Sequence, residues 1–198
     1  MTEDRDRAPQ QAHGTPPELP PEQAHDGVRH DTFTVTLRLS VPPAEVFRAF
    51  ADPGLRRRWF KLPGTGATYE HDFRVGGGET AFSTFATPDA PPQRLAYWSR
   101  YIDITPDVRI VYVYASQVDG VVRWASLATV ELHAGSAGTE LSWTEQVTFV
   151  TPTGDGRDDL PHVRGGTRLR LNGLAAALAS PETPRTTTPH PGGRNQLP

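Results

Sequence analysis

Apolar and polar residues alternate strictly at the start of the ordered pattern. Phe33, Val35, Leu37 and Leu39 fall on one side of the chain, and Thr32, Thr34, Thr36 and Arg38 on the other. A period of two is that of a strand with one buried face. The pattern then changes. Pro42 and Pro43 suit the first turn of a helix, where the missing N–H is not needed. Val46, Phe47 and Phe50, at i, i+1 and i+4, make one apolar helical face that stops near Asp52, Pro53 and Gly54. A second short helix over residues 55–60 brings Trp59 and Phe60 to its end, either as a plug on the sheet or as ring surface lining a ligand cavity.

Strand patterns follow over 69–75 and 79–87, joined by the glycines at 76–78. Glycine accepts positive φ at low cost, so a glycine triplet between alternating segments predicts a hairpin or bulge. GGGE lacks the spacing of a phosphate-binding loop and opens no helix, which argues against a nucleotide site. After a loop, PDAPPQ, further strands are predicted at 95–104, 109–117, 121–133 and 139–150, separated by TPD, an Asp119-Gly120 turn and GSAG. Leu171, Leu174, Ala175 and Leu178 then share one face of a helix over 163–179. Three internal glycines weaken its intrinsic propensity, so packing must hold it. The order is strand, two helices, about six antiparallel strands and a long helix, an α+β class. A twisted sheet closed against one long helix leaves a space between them where a ligand could lie.

Composition separates this domain from its flanks. Ten of the 20 prolines lie in roughly the first 30 and last 19 of the 198 residues. Residues 1–31 and 180–198 are accordingly expected to be disordered arms around a single domain over 32–179. His13, His25 and His30 lack helical i, i+3 or i, i+4 spacing, so no metal site is expected from them. The absence of cysteine excludes disulfides and thiolate chemistry. No apolar run spans a bilayer and the N-terminus is not a secretory signal, which makes a cytoplasmic location the expectation. A net charge of −3 and a pI near 6.1 supply no basic field for nucleic acid. The run Arg56, Arg57 and Arg58 is read as a solvated helix face, with an anion contact as the alternative.

Six stretches resemble one family, in the family's own order. They are VPPAEVFRAFADPGLRRRWF at 41–60, HDFRVGGGE at 71–79, RYIDITPDVRIVYVY at 100–114, SLATVEL at 126–132, GTELSWTEQ at 138–146 and GGTRLRLNGLAAAL at 165–178. Together they are similar to the START-like, helix-grip superfamily (SRPBCC proteins), in its bacterial branch grouped with the activator-of-Hsp90-ATPase homologues. The resemblance implies a curved antiparallel sheet of six to seven strands wrapped around a C-terminal helix, with a mostly apolar cavity for a small hydrophobic or amphipathic molecule. It implies no reaction, because fold is weak evidence for chemistry. The eukaryotic activators carry an additional N-terminal docking domain that residues 1–31 are too short and polar to replace. Chaperone stimulation is therefore not expected.

Several residues could carry chemistry or binding. Period two places Glu145 on one face with Leu141, Trp143 and Val147. It is either a structural partner for an arginine or a cavity carboxylate, whose pKa rises if it is unpaired. His71 alternates with Phe73 and Val75 and is a second pocket candidate, against the alternative of a satisfied core histidine. Asp72 and Arg74 are expected to pair and brace the glycine turn. If Trp124 faces inward, so do Val122, Ser126, Ala128 and Val130, a wall with one hydroxyl. Tyr97 and Tyr101 share a face, as do Tyr112 and Tyr114, and their phenols could orient a polar ligand tip.

The expected site thus comprises Trp59, Phe60, His71, Phe73, Tyr97, Tyr112, Trp124, Ser126, Trp143 and Glu145, with no metal and no cofactor. The leading function is binding of a small hydrophobic molecule without turnover, with a second copy of the chain admitted as a partner. The alternatives are a cyclase- or hydratase-like enzyme, in which Glu145 with His71 or a tyrosine moves a proton, and a regulatory interaction module. The binding reading depends on a hollow beneath the last helix. An interior filled solid by indole and phenyl rings would leave a scaffold.

Overall fold

The structure, a computed structural model, describes residues 27–180. In chain order its elements are β1 (Arg29–Leu39), α1 (Pro43–Ala51), α2 (Pro53–Trp59), β2 (Thr65–His71) and β3 (Glu79–Thr87). β4 (Ala90–Thr105), β5 (Arg109–Val118), β6 (Val121–Gly135), β7 (Gly138–Phe149) and α3 (Asp159–Ala179) follow. Of the arms expected at 1–31 and 180–198, residues 1–26 and 181–198, with His13 and His25, lie outside the described residues. Among those described, no helix is long and apolar enough to cross a membrane, and no group of three or more His, Asp or Glu could hold a metal ion.

The seven strands form one antiparallel sheet in the order β1-β7-β6-β5-β4-β3-β2. β1 and β2 are its two edges, so the segment joining them must cross the sheet, and it does so as α1 and α2. α1 packs on β6 and β7, and α2 packs on α3. Asp52 holds the break between the two short helices, its carboxylate accepting the Leu55 N–H at 2.8 Å, while the Trp59 indole N–H donates to the Ala49 carbonyl at 2.9 Å.

Alternation sorts every strand into an inner and an outer face. On β7 the inner residues are Leu141, Trp143, Glu145, Val147 and Phe149, all buried. Across the register, Ala128 sits between Tyr112 and Glu145, and the small residue lets the large neighbours close over it. Phe50, Leu141, Trp143, Leu171 and Leu174 are essentially removed from solvent. Each such side chain contributes about 1.5–3 kcal/mol through burial.

Three boundaries differ from the sequence pattern. β1 begins at Arg29, because Arg29, His30 and Asp31 pair with Phe149, Thr148 and Val147, and Arg29 reaches Asp159 at 3.3 Å. These polar residues show no hydrophobic period, so only the partner strand reveals them. β4 begins at Ala90, within the expected loop, and a bulge between Phe85 and Thr87 leaves Pro91 and Pro92 without ladder partners. β2 covers Thr65–His71 and ends before Phe73. The chain from Asp72 to Gly78 is a turn, tied to β4 by Gly76 N–H to Tyr101 O and Tyr101 N–H to Gly77 O. A Cβ on Gly78 would lie 1.9 Å from the Ser99 carbonyl oxygen, which is why glycine stands there. Asp72 and Arg74 pair at 2.9 Å within this turn.

Candidate functional site

Two buried polar groups occupy the inner face of the sheet. The first lies beneath α2. One helical turn separates Arg56 from Trp59 and Phe60, so Arg56 points inward with them while Arg57 and Arg58 remain exposed. The solvated-face reading therefore holds for Arg57 and Arg58 and is corrected for Arg56, whose side chain is 1% exposed. The reason is Glu79, at the first inward position of β3. Arg56 Nε and Nη2 donate to its two carboxylate oxygens at 2.6 and 2.9 Å. The guanidinium also lies 4.1 Å from the Trp59 ring and 4.7 Å from Phe60. Tyr69 donates to Glu79 Oε1 at 2.5 Å.

His71 sits beside this pair, with Nε2 3.1 Å from the Tyr101 hydroxyl and 3.9 Å from Glu79. Burial lowers its pKa below the ordinary 6.5, and the Arg56 charge adds to that shift against the opposing pull of Glu79. Burial opposes the Glu79 charge, yet Arg56 and the hydrogen bonds hold its carboxyl below the ordinary range.

The second group lies beneath α3. Glu145 is fully buried and accepts three hydrogen bonds: from Tyr114 at 2.5 Å, from the Trp143 indole at 2.9 Å and from Thr167 on α3 at 2.6 Å. Its hydrogen-bond partners are thus neutral donors; no arginine is bonded to it, and Arg170 acts on it only through its field. Around it, Tyr97 stacks between Phe60 and Tyr114, with centroids 4.9 and 5.4 Å away, and Tyr112 meets Trp143 edge to face at 6.0 Å. Burial pushes the hydroxyl pKa of Tyr97, Tyr112 and Tyr114 up, so all three keep their protons.

Several polar atoms in this region are sealed from water without a hydrogen-bond partner: Tyr97 OH, Tyr112 OH, Trp124 Nε1, Ser126 Oγ and Arg170 Nη1. Ser126 Oγ approaches the Tyr114 hydroxyl without completing a bond. The Arg170 guanidinium lies 5.0 Å from the Phe60 ring centre and has no ion pair or hydrogen bond among the described residues. Arg170 as a residue is half-buried, but this nitrogen is not exposed.

All ten expected site residues face the inner side, in two neighbouring groups: Trp59, Phe60, His71 and Phe73 near α2, and Tyr97, Tyr112, Trp124, Ser126, Trp143 and Glu145 toward α3. Phe73 reaches the core from the turn and not from a strand, 5.0 Å from Tyr101. Val75, expected beside it, is 56% exposed. Sequence reasoning missed Arg56, Glu79, Tyr69, Thr167 and Arg170. A signal existed for the last two, because Val163, Thr167, Arg170 and Leu174 recur at helical spacing and place a charge within the apolar stripe.

The hollow expected beneath α3 is not where the sequence placed it: Tyr97, Tyr112 and Trp143 are buried there, and neither open concavity lies under that helix. Two open concavities, of about 530 and 600 Å³, lie elsewhere. The first runs along the outer sheet face by Trp98, Val113, Leu127 and Gln146, and the second beside the glycine turn. No residue of α3 lines either one.

A curved seven-stranded antiparallel sheet, two short helices after its first strand and a C-terminal helix over its inner face define a helix-grip protein. The family model described as "Activator of Hsp90 ATPase homolog 1-like protein" matches residues 40–179, and the chain belongs to that family. A protein from Rhizobium leguminosarum is 36% identical, with 77% of this chain and 96% of that one covered and a TM-score of 0.66. Mll3558 from Rhizobium loti is 42% identical over 76% of this chain and 99% of its own, with a TM-score of 0.63. DynU16, from the dynemicin biosynthetic locus, shares the fold at 17% identity over 75% of this chain and 47% of its own, with a TM-score of 0.53. No curated protein matches the sequence.

Proposed function

We infer that this chain binds a small amphipathic molecule between the sheet and α3 and releases it unchanged. One observation carries the reading: Tyr97 OH, Tyr112 OH, Trp124 Nε1 and Ser126 Oγ on the inner sheet face, and Arg170 Nη1 on α3, are all sealed polar atoms without a hydrogen-bond partner. A buried hydrogen-bonding group without a partner costs about 1–3 kcal/mol, and native proteins carry few of them. A group of them is costly as pure scaffold and becomes intelligible if a ligand supplies the partners. The interior offers polar anchors in place of an empty chamber, so the ligand is accommodated by ring reorientation or by lifting of α3. The family membership and the helix-grip fold support the same reading.

Native mass spectrometry of the full chain from its own host tests this directly, with thermal unfolding in the presence of whatever is retained. A bound small molecule, stabilising by about 2.7 kcal/mol at a hundredfold excess over its Kd, is the expected result. A chain that retains nothing, and whose Tm moves with no amphiphile tried, overturns it.

Proton transfer is the second reading, and the observation favouring it has moved from Glu145 to His71. The Glu145 oxygens are taken by three donors, whereas His71 is held largely neutral beside Tyr101 with Nδ1 unpartnered. Loss of turnover in His71→Asn, with ligand affinity kept, would favour the enzyme.

A further inference from the structure

The unpartnered groups under α3 are not a balanced set. Both oxygens of Glu145 are engaged by Tyr114, Trp143 and Thr167, and both of Glu79 by Arg56 and Tyr69. What remains is dominated by donors. Trp124 Nε1 and Arg170 Nη1 can only donate, and the Tyr97 and Tyr112 hydroxyls each carry a proton to give. Tyr97 and Tyr112 are 3% and 1% exposed, so bulk water does not answer them. Charge is unbalanced in the same direction. Arg56 is ion-paired to Glu79, while Arg170 makes no ion pair among the described residues and feels Glu145 only through its field.

Arg170 and Tyr97 both border Phe60, the guanidinium 5.0 Å and the phenol ring 4.9 Å from its centre. Tyr97, Tyr112, Tyr114 and, more weakly, the Glu145 carboxylate all lie within the field of Arg170. Four unpartnered donors, one of them on a guanidinium with no ion pair, lack an acceptor-rich complement.

We propose that the ligand carries a carboxylate or similarly compact oxyanion, held by Arg170 together with the Tyr97 and Tyr112 hydroxyls, with its apolar body against Phe60 and Trp124. This rests on the binding function above and names the class of molecule bound. Charge-assisted hydrogen bonds to a guanidinium are about twice as strong as neutral ones, so removing the ligand's charge has a measurable effect.

A matched pair of probes tests it: 2-naphthoate and its methyl ester, titrated calorimetrically into the full chain. The acid binds about tenfold or more tightly than the ester, a ratio set by the charged contact. Arg170→Met abolishes that preference by weakening the acid far more than the ester, and Arg170→Lys restores part of it. Should Arg170→Met fold poorly, Tyr97→Phe and Tyr112→Phe each weaken the acid more than the ester. Equal affinity for acid and ester in the unmodified chain overturns the anion assignment and leaves the binding function standing. Acid binding that Arg170→Met does not alter also overturns it, by placing the probe elsewhere. Failure of both probes to bind below about 1 mM overturns the anion assignment, while the binding function is decided separately by what the chain retains from its host.

Discussion

Replacing Arg56 with methionine keeps most of the side chain's apolar length and removes its charge and its donors. Glu79 then remains almost wholly buried, 1% exposed, with the Tyr69 hydroxyl as its nearest donor and no cation paired to it. Breaking a buried ion pair on one side costs about 3–5 kcal/mol, because the surviving charge is neither hydrated nor matched. For a domain of this size each kcal/mol corresponds to roughly 2–4 °C, so Tm falls by about 6–20 °C. The packing of the guanidinium on Trp59 at 4.1 Å adds to the loss. Urea unfolding followed by tryptophan fluorescence measures the change, provided the m-value is unaltered. Adding Glu79→Gln to Arg56→Met recovers about 2 kcal/mol, since the stranded charge is gone. Arg38→Met, at the exposed Arg38–Glu140 pair, changes stability by less than about 1 kcal/mol. An Arg56→Met cost as small as that of Arg38→Met, or a double variant no better than the single, refutes the reasoning.

Two further expectations follow from the same region. The lowered pKa of His71 means that, from pH 6.5 down to its folded value, the unfolded chain takes up a proton that the folded chain refuses. Stability therefore falls as pH falls through that window, by up to about 1.4 kcal/mol per unit from this one group. The slope difference between wild type and His71→Asn reads it, and parallel curves would count against it. The Glu79 contribution lies lower, lost only below its ordinary 4.5. Glycine substitutions separate two roles. Gly78→Ala drives a Cβ to 1.9 Å from the Ser99 oxygen and costs more than about 3 kcal/mol, whereas Gly165→Ala on α3 meets open space and gains about 0.5–1 kcal/mol. Similar Tm values for the two variants would contradict that division.

Particular elements show how far the sequence could be read. The alternation of Phe33, Val35, Leu37 and Leu39 and the helical recurrence of Leu171 and Leu174 are local signals, set by backbone geometry within a few residues. Both elements formed where expected, and Trp143 and Glu145 lie on the same inner face that period two assigned them. Ends were less legible. Arg29 belongs to β1 only because Phe149 stands opposite, and Ala90 to β4 only because Thr87 does. Arg56 shows the same limit in a side chain. Three consecutive arginines look alike in sequence, and the one turned inward is chosen by a carboxylate 23 positions away.

What the chain determined alone is therefore the order of elements, their buried faces and the presence of a carboxylate among the rings, because propensity and periodicity act over short separations. Tertiary packing decided what the rings do with the space under α3 and which polar groups lack partners. Glu145 is satisfied only when Thr167 arrives from the far helix, and Arg170 goes without an ion pair among the described residues because that helix sets it against Phe60. Hydrogen-bond balance is a sum over atoms distant in sequence, so it exists only once the sheet has closed around the helix.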